Sequence, residues 1–188
     1  DTPLSEIGVR QSEAVADALA GDAAPTMVYA SPLPRALQTA EPLCRRLGLV
    51  AQIDDRLAEF EFGATTLPAM GKRPDLLFWR PEQVGIEGGE TLGEFAVRVA
   101  DFLDEVALRH VGERVAVVSH AGTIDASLRW ALGLGRDSIW QHEFEIDNGS
   151  IAELEVWPRG RVSGGSPRYV SVRRVGDITH LGDLLSVV

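Results

Sequence analysis

The stretch Arg114-Val-Ala-Val-Val-Ser-His-Ala-Gly-Thr123 decides the fold, because it predicts a strand that turns directly into a helix. Residues 114–119 form a largely apolar run of the kind found in a parallel strand that is buried on both faces. A helical pattern follows over about 122–132. A strand that leads at once into a helix is the repeating unit of α/β proteins, so this stretch predicts a mainly parallel sheet.

The rest of the chain alternates between helical and strand patterns in the same way. A serine stands before each of the first two helical patterns, and we expect Ser5 and Ser31 to cap these helices, with Pro32 in the first turn of the second. The predicted elements are helices at 5–19, 31–47, 90–109 and 122–132, a short helix at 75–79, and strands at 26–30, 49–53, 114–119, 143–146, 151–157 and 169–175. This order predicts an α/β fold: a mainly parallel central sheet with helices on both faces and an antiparallel edge strand near the C-terminus.

Length and composition predict one globular domain over residues 1–188. A chain of 188 residues is long enough for one hydrophobic core and short for two. Apolar residues make up 45% of the chain, yet no apolar run approaches the roughly 20 residues of a membrane-spanning helix. No signal-peptide pattern stands at the N-terminus. We therefore expect a cytoplasmic protein.

The net charge and the cysteine content narrow the class of partner. With a net charge of −10, the chain repels nucleic acids and anionic membranes, so neither is an expected partner. A small phosphate ester remains compatible, because a few converging arginines, histidines and backbone amides recognise it locally. Cys44 is the single cysteine and no Cys/His cluster has zinc spacing, so we expect neither an internal disulfide nor a zinc site. We also expect no other metal and no cofactor.

Two strand-to-helix turns hold the residues best suited to an anionic ligand. In a parallel sheet, ligands bind beyond the carboxyl ends of the strands. The turn at 29–39 places Arg35 in the opening turns of a helix, and the turn at 117–123 places His120 between a strand and a helix start. Taken alone, such an arginine is more often a solvated ion-pair partner, and such a histidine is more often structural. The other motifs of the chain decide between these interpretations.

Several segments in a fixed order resemble the histidine phosphatase superfamily, whose members have a phosphoglycerate-mutase-like α/β fold. In family members, a segment like residues 2–11 comes directly after the first strand. The matches to the family elements Ser-x-Leu-x-Arg-Ala-x-Gln-Thr-Ala, Leu-x-Glu-x-x-x-Gly, Gly-Gly-Glu and Ser-His-x-Gly lie at 31–40, 57–63, 88–90 and 119–122. The resemblance covers nearly the whole chain, and the match at 31–40 is the most specific.

The resemblance implies a role for each matching residue. Arg35 and His120 would form two walls of a phosphate pocket, with the backbone amide of Ala121 as a further donor. Such donors are needed because a phosphoryl group in transfer spreads negative charge over its oxygens. Glu59 would give a proton to the leaving oxygen and recover one from the attacking water. Glu61 is its rival, but only Glu59 stands in the matching position.

The chain departs from the family at two places. The family nucleophile is the histidine of an Arg-His-Gly motif on the first, central strand, and residues 1–188 contain no such motif. A sheet without this strand would leave backbone groups unpaired, so we expect roughly 15 to 25 further residues upstream. After Gly63 the chain also lacks the Trp-Glu-Gly-like continuation of the family. The candidates for substrate specificity in that segment are Lys72, Arg73, Trp79 and Arg80, and a solvated flap is the equal alternative.

The leading functional hypothesis is a phosphomonoester hydrolase that acts on a small phosphorylated substrate through a phosphohistidine. The alternatives are a cofactor-dependent phosphoglycerate mutase of the same fold and a noncatalytic phosphate-binding protein. A serine hydrolase is disfavoured, because the chain has no Gly-x-Ser-x-Gly motif and the side chains of the adjacent Ser119 and His120 would diverge on a strand. The identity of the ester and the oligomeric state stay open at this point.

Overall fold

The computed structural model describes residues 2–61, 89–134, 144–158 and 168–185. In chain order the elements are α1 (Glu6–Leu19), β1 (Met27–Ala30), α2 (Pro34–Leu47), β2 (Gln52–Ile53), α3 (Leu92–Arg109), β3 (Val115–Val118), α4 (Ala121–Leu132), β4 (Ile151–Pro158) and β5 (Arg168–Asp177). Short 3-10 helices at Asp55–Leu57 and Thr179–Leu184 follow β2 and β5. No helix in these ranges has the length and apolar character needed to span a bilayer.

The strand β1 lies at the centre of a three-stranded parallel sheet with the order β2-β1-β3. Ala30, its last residue, is paired with Ile53 of β2 and with Val118 of β3. The carboxyl ends of the three strands therefore meet at one edge of the sheet. β4 and β5 form a separate antiparallel pair. The expected parallel α/β fold, with an antiparallel element near the C-terminus, is confirmed.

The side chains of β1 alternate between two helical layers. Val28 and Ala30 are fully buried against α1 and α2. Tyr29 points to the opposite face, where its ring centroid lies 5.4 Å from that of Phe102 on α3. Phe102 is fully buried there, and burial of such a side chain contributes roughly 1.5–3 kcal/mol. Helices therefore cover both faces of the sheet, as the sequence predicts.

The helix ends follow local sequence signals, with one exception. Ser5 caps α1 as predicted, since its Oγ accepts a hydrogen bond from the Gly8 amide at 3.2 Å. The prediction that Ser31 caps α2 is wrong: α2 begins at Pro34, and the N-cap residue Leu33 makes no side-chain cap. Pro34, whose fixed φ suits the first turn, replaces Pro32 in that position. Oγ of Ser31 accepts from the amide of Leu33 at 3.3 Å, just before the helix, and it has a second contact that is described below.

Two strand predictions also differ from the structure. Within the described ranges β3 is not fully buried on both faces, because the side chain of Val117 is 39% exposed. Residues 144–147 form no strand, although an alternating pattern predicted one at 143–146. The amide of Phe144 donates instead to Oδ1 of Asp125 on α4, at 3.0 Å. The predicted helix at 75–79 lies outside the described residues.

The antiparallel pair of β4 and β5 contacts the helices through Arg168 at the start of β5. The guanidinium carbon of Arg168 lies 3.9 Å from the ring centroid of Trp130 on α4. The same guanidinium donates to the Trp130 carbonyl oxygen at 2.9 Å and to Oδ1 of Asp104 on α3 at 3.1 Å. One arginine thus joins β5, α3 and α4.

Candidate active site

The candidate site lies where β1 and β3 end. Because Ala30 and Val118 are paired, the residues that follow them leave the sheet side by side. The amide of Ser31 donates to the carbonyl oxygen of Val118 at 3.0 Å. This pairing brings the two predicted turns, 29–39 and 117–123, to one edge of the parallel sheet, where ligands bind in such folds.

Arg35 and His120 are in direct contact at this edge. Nε of Arg35, in the first turn of α2, donates to Nδ1 of His120 at 3.2 Å. A guanidinium has donors only, so Nδ1 carries the lone pair of the ring. His120 is 8% exposed and Arg35 is half-buried. Arg35 therefore faces the histidine at the end of β3, which differs from a freely solvated surface arginine.

Ser31 contacts the other side of the His120 ring. Its Oγ lies 2.7 Å from Nε2 of His120, and its side chain is fully buried. Because Nδ1 accepts from Arg35, the proton of the neutral ring lies on Nε2 and is donated to the Ser31 hydroxyl. The sequence analysis missed this contact. The available signal was that Ser31 follows a strand whose parallel neighbour ends at His120.

The surroundings of His120 favour its neutral form. Burial lowers the pKa of His120 to about 4, with the positive charges of Arg35 and Arg98 as further causes. At neutral pH the ring is therefore uncharged in this structure. A nearby anion has the opposite effect on an imidazole, because negative charge favours the protonated ring.

Glu59 lies against the first turn of α4, two residues beyond His120. Its Oε2 accepts from the Gly122 amide at 3.2 Å, and its Oε1 accepts from the amide of Phe60 at 2.9 Å. A Cβ atom at Gly122 would come within 2.4 Å of Oε1. Only glycine leaves room for this close approach of the carboxylate to the helix.

The segment that carries Glu59 is docked on the β3–α4 turn by two hydroxyl groups. Oγ of Ser119 donates to the Leu57 carbonyl oxygen at 2.7 Å. Oγ1 of Thr123 donates to the Ala58 carbonyl oxygen at 3.4 Å. These bonds explain why Glu59, although far from His120 in the sequence, reaches the helix that begins beside it.

Glu61 is placed differently from Glu59. Its side chain is exposed, and its backbone is paired with Glu90: the Glu61 amide donates to Oε1 of Glu90, and the Glu90 amide donates to the Glu61 carbonyl oxygen, both at 3.1 Å.

Ala121 is the first residue of α4, with His120 as N-cap. Its amide has no acceptor within the helix and lies at the positive end of the helix dipole.

The four specificity candidates, Lys72, Arg73, Trp79 and Arg80, lie outside the described residues, so their placement stays a prediction. Among the residues that the structure describes, no group of three or more His, Cys, Asp or Glu side chains is arranged to hold a metal ion. The described part of the site thus consists of Arg35, His120, Ser31 and Glu59, together with the first turn of α4.

Sequence comparison finds phosphatases and a mutase among the relatives. Residues 1–164 match the profile of the histidine phosphatase superfamily, branch 1. Phosphoserine phosphatase 1 of Hydrogenobacter thermophilus is 32% identical over 169 residues, which cover 86% of this chain and 79% of that protein. The probable phosphoglycerate mutase GpmB of Yersinia pestis is 29% identical over 188 residues, which cover 96% of this chain and 84% of that protein.

A longer relative contains this kind of domain as one part. The bifunctional protein Rv2228c of Mycobacterium tuberculosis is 34% identical over 157 residues, which cover 80% of this chain. The chain spans only 43% of the length of that relative. The similarity therefore concerns one region of a larger protein.

Solved structures share the fold, and the family follows from the sequence matches. A mycobacterial glucosyl-3-phosphoglycerate phosphatase, Rv2419c, solved as a complex with VO3, aligns with a TM-score of 0.75 and 26% identity over 93% of this chain and 87% of that chain. Bacillus stearothermophilus YhfR aligns with a TM-score of 0.77 and 23% identity over 96% of this chain and 88% of that chain. Given the profile match over residues 1–164 and a relative that is 32% identical over most of both chains, this chain belongs to the histidine phosphatase superfamily.

Proposed function

We propose that this domain is a phosphatase that hydrolyses small phosphate monoesters through a phosphohistidine intermediate. The observation that carries the proposal is the contact between Arg35 and His120 at the ends of two paired strands, with the Glu59 carboxylate bonded to the Gly122 amide beside them. A cation, a titratable ring and an acid therefore meet where α2 and α4 begin. Phosphoryl transfer uses this combination to hold spreading negative charge and to move a proton.

Arg35 and His120 are proposed to bind the phosphoryl oxygens. Arg35 brings a permanent charge to the first turn of α2, whose amides add partial positive charge. His120 is neutral without a ligand, and a phosphate dianion would raise its pKa, so that the protonated ring donates from Nδ1. Nε of Arg35 would then turn from His120 to an oxygen of the phosphate. The amide of Ala121 would be a further donor.

Glu59 is proposed to deliver and recover the proton. In the first step, a histidine nitrogen bonds to phosphorus while the ester P–O bond breaks, and the leaving oxygen keeps the electron pair and takes the proton of the Glu59 carboxylic acid. In the second step, water attacks phosphorus and the P–N bond breaks. Its electron pair returns to the histidine, and the Glu59 carboxylate takes the proton of the water.

The nucleophile is proposed to be the histidine of an Arg-His-Gly segment, as the resemblance to the family implies. Residues 1–188 do not include such a segment. The outer edge of β3 can accept a further strand, because β3 pairs with β1 alone in the part of the chain that the structure describes. A parallel strand along that edge would end next to His120.

The relatives support a small phosphorylated substrate, with isomerisation as the second candidate reaction. Phosphoserine phosphatase 1 and the glucosyl-3-phosphoglycerate phosphatase favour hydrolysis. The similarity to a probable phosphoglycerate mutase over 96% of the chain favours the alternative.

The net charge of −10 fits neither a nucleic acid nor an anionic membrane as a partner, and we propose a cytoplasmic location.

The test is an assay of the full-length protein with an aryl phosphate, with phosphoserine and with phosphoglycerate, each with and without bisphosphoglycerate, together with a measurement of vanadate binding. We expect release of inorganic phosphate without bisphosphoglycerate, and an acid-labile phosphoenzyme after rapid quenching. Isomerisation of phosphoglycerate that requires bisphosphoglycerate, with negligible hydrolysis, would establish the mutase instead. Binding of vanadate without any turnover would establish a noncatalytic phosphate-binding protein.

A further inference from the structure

The side chain of Arg98, on α3, is bonded to the backbone of the segment that carries Glu59. Nη1 of Arg98 donates to the carbonyl oxygens of Arg56 at 2.7 Å and of Ala58 at 2.8 Å. Nη2 donates to the carbonyl oxygen of Glu59 itself at 3.2 Å. One guanidinium thus binds the backbone of Glu59 and of two of the three residues before it.

Glu90 fixes the same guanidinium from the other side. Nε of Arg98 donates to Oε2 of Glu90 at 2.8 Å, and Nη2 donates to Oε1 at 2.5 Å. The guanidinium carbon also lies 4.6 Å from the ring centroid of Phe95. A guanidinium has five N–H groups, and each of those of Arg98 has an acceptor. Arg98 would have to break one of these bonds to touch a substrate. It therefore acts on the site through the backbone that it holds and through its charge, which helps to lower the pKa of His120.

The pair formed by Arg98 and Glu90 fixes residues 56–61 at both ends. Arg98 holds the carbonyl groups at the beginning of this segment, while Glu90 exchanges two hydrogen bonds with the backbone of Glu61 at its end. Residues 58–61 belong to no helix or strand, so their polar backbone groups depend on such partners. The side chains of Arg98 and Glu90 are 21% and 17% exposed, which makes the pair less screened by water than a surface ion pair.

The position of this segment decides whether the Glu59 carboxylate reaches the first turn of α4. Its bond to the Gly122 amide is already 3.2 Å long, and a hydrogen bond weakens steeply beyond such a length. Misplacement of a catalytic group by about 1 Å can cost about 10²-fold in rate. A loose segment would therefore leave the carboxyl group present but badly aimed.

We propose, on the basis of the proposed acid role of Glu59, that Arg98 is a positioning residue that aims Glu59 at the leaving oxygen. Glu90 serves the same purpose by holding Arg98. Neither side chain contacts the substrate in this scheme.

The experiment compares two substrates in the full-length protein. The alkoxide that leaves from phosphoserine needs a proton, whereas the phenolate that leaves from dinitrophenyl phosphate does not. The Arg98→Lys variant keeps the charge but has one ammonium group, which cannot make the five bonds. We expect kcat/KM for phosphoserine to fall about 30- to 100-fold, near the lower bound for general acid catalysis, and kcat/KM for dinitrophenyl phosphate to fall less than about threefold.

Three further variants define the comparison. Glu59→Gln should show the same dependence on the leaving group, and the double variant Arg98→Lys/Glu59→Gln should be little worse than Glu59→Gln alone, because both changes remove the same proton transfer. Arg109→Lys is the matched control: it lies on α3 about three turns from Arg98, pairs with Glu105, and should change both substrates less than about twofold.

The outcomes separate the two proposals. If Glu59→Gln shows no dependence on the leaving group, the acid role of Glu59 fails and the positioning role of Arg98 fails with it, while phosphate release and the phosphoenzyme still test the phosphatase itself. If Glu59→Gln shows it, but Arg98→Lys lowers kcat/KM for both substrates equally or multiplies the effect of Glu59→Gln, only the positioning role is overturned.

Glu90→Gln takes the place of Arg98→Lys if circular dichroism shows that the Arg98→Lys variant does not fold. It removes one of the acceptors of Arg98 while leaving the bonds to residues 56–59 in place. We expect kcat/KM for phosphoserine to fall about tenfold, with dinitrophenyl phosphate nearly unaffected, because Arg98 would keep its bonds to the segment but lose one of the two bonds by which Glu90 holds it. A folded Glu90→Gln variant without this difference between the substrates would also overturn the positioning role.

Discussion

The two sides of the candidate site are built in different ways. His120 follows β3 and contacts Ser31 and Arg35, which follow the neighbouring strand, so its position is set by the pairing of β1 with β3. Glu59 lies in an irregular segment, and its position is set by the Arg98 side chain and by the hydroxyl groups of the β3–α4 turn. The proposed phosphate-binding side therefore depends on the sheet, whereas the proposed acid side depends on individual side chains. Substitutions on the two sides should therefore lower kcat/KM in distinguishable ways.

The largest effect is expected on the phosphate-binding side. Arg35→Ala and His120→Ala should each lower kcat/KM by about 10³- to 10⁵-fold, the range known for arginines that stabilise a transferring phosphoryl group. Both substrates, phosphoserine and dinitrophenyl phosphate, should be affected alike, because both carry the same phosphoryl group. The matched control is Arg45→Ala on the same helix, where Arg45 is 59% exposed and pairs with Glu13. Near-normal turnover in either site variant would contradict the pocket assignment.

The next effect is the pH dependence of stability that His120 causes. The pKa of His120 is about 4 in the folded chain, against 6.5 for an ordinary histidine, so between these values the unfolded chain binds the extra proton. The free energy of unfolding should therefore rise with pH from about 4 to 6.5, by up to about 3 kcal/mol, and level off above. Denaturant unfolding at several pH values measures this slope. His120→Asn should flatten it, and an unchanged slope would show that His120 is not the buried neutral group.

The smallest effect is expected on the acid side, from Gly122→Ala. The added methyl group would come within 2.4 Å of Oε1 of Glu59 and push the carboxylate away from the helix. We expect kcat/KM for phosphoserine to fall about tenfold, less than the roughly 10²-fold known for a 1 Å misplacement, because a glutamate side chain can partly readjust. Gly93→Ala on α3 is the control, since a Cβ there meets no atom closer than 3.8 Å. Equal effects of the two substitutions would argue against the close approach of Glu59.

Local patterns predicted the main elements because each depends on nearby residues. The apolar run before His120 predicted β3, and the serine before Glu6 predicted the start of α1. The order of the motifs then selected Arg35, Glu59 and His120, and the fold brings Arg35 and His120 into contact. Their chemical roles stay proposals.

The contacts that the sequence did not reveal all join distant parts of the chain. Ser31 has the local features of a helix cap, and its Oγ accepts from the nearby Leu33 amide, but its shorter contact is with His120, 89 residues away. Arg98 looks like any polar residue of an amphipathic helix until the backbone of residues 56–59 is placed against it. The strand predicted at 143–146 is the reverse case, in which a local pattern predicts a structure that does not form. An alternating pattern becomes a strand only beside a neighbouring strand, and no local pattern guarantees that neighbour.

The pairing of Ala30 with Val118 makes the site a reporter of correct folding. A slip of one residue between β1 and β3 would turn Ser31 and His120 toward opposite faces of the sheet. Compact but misaligned forms of the chain would thus lack the pocket altogether. An anion that fits the pocket would bind the native state alone, and at a hundred times its dissociation constant it would add about 2.7 kcal/mol to the free energy of unfolding. Ligand-induced thermal stabilisation would then measure what fraction of a preparation has assembled its sheet in the native alignment.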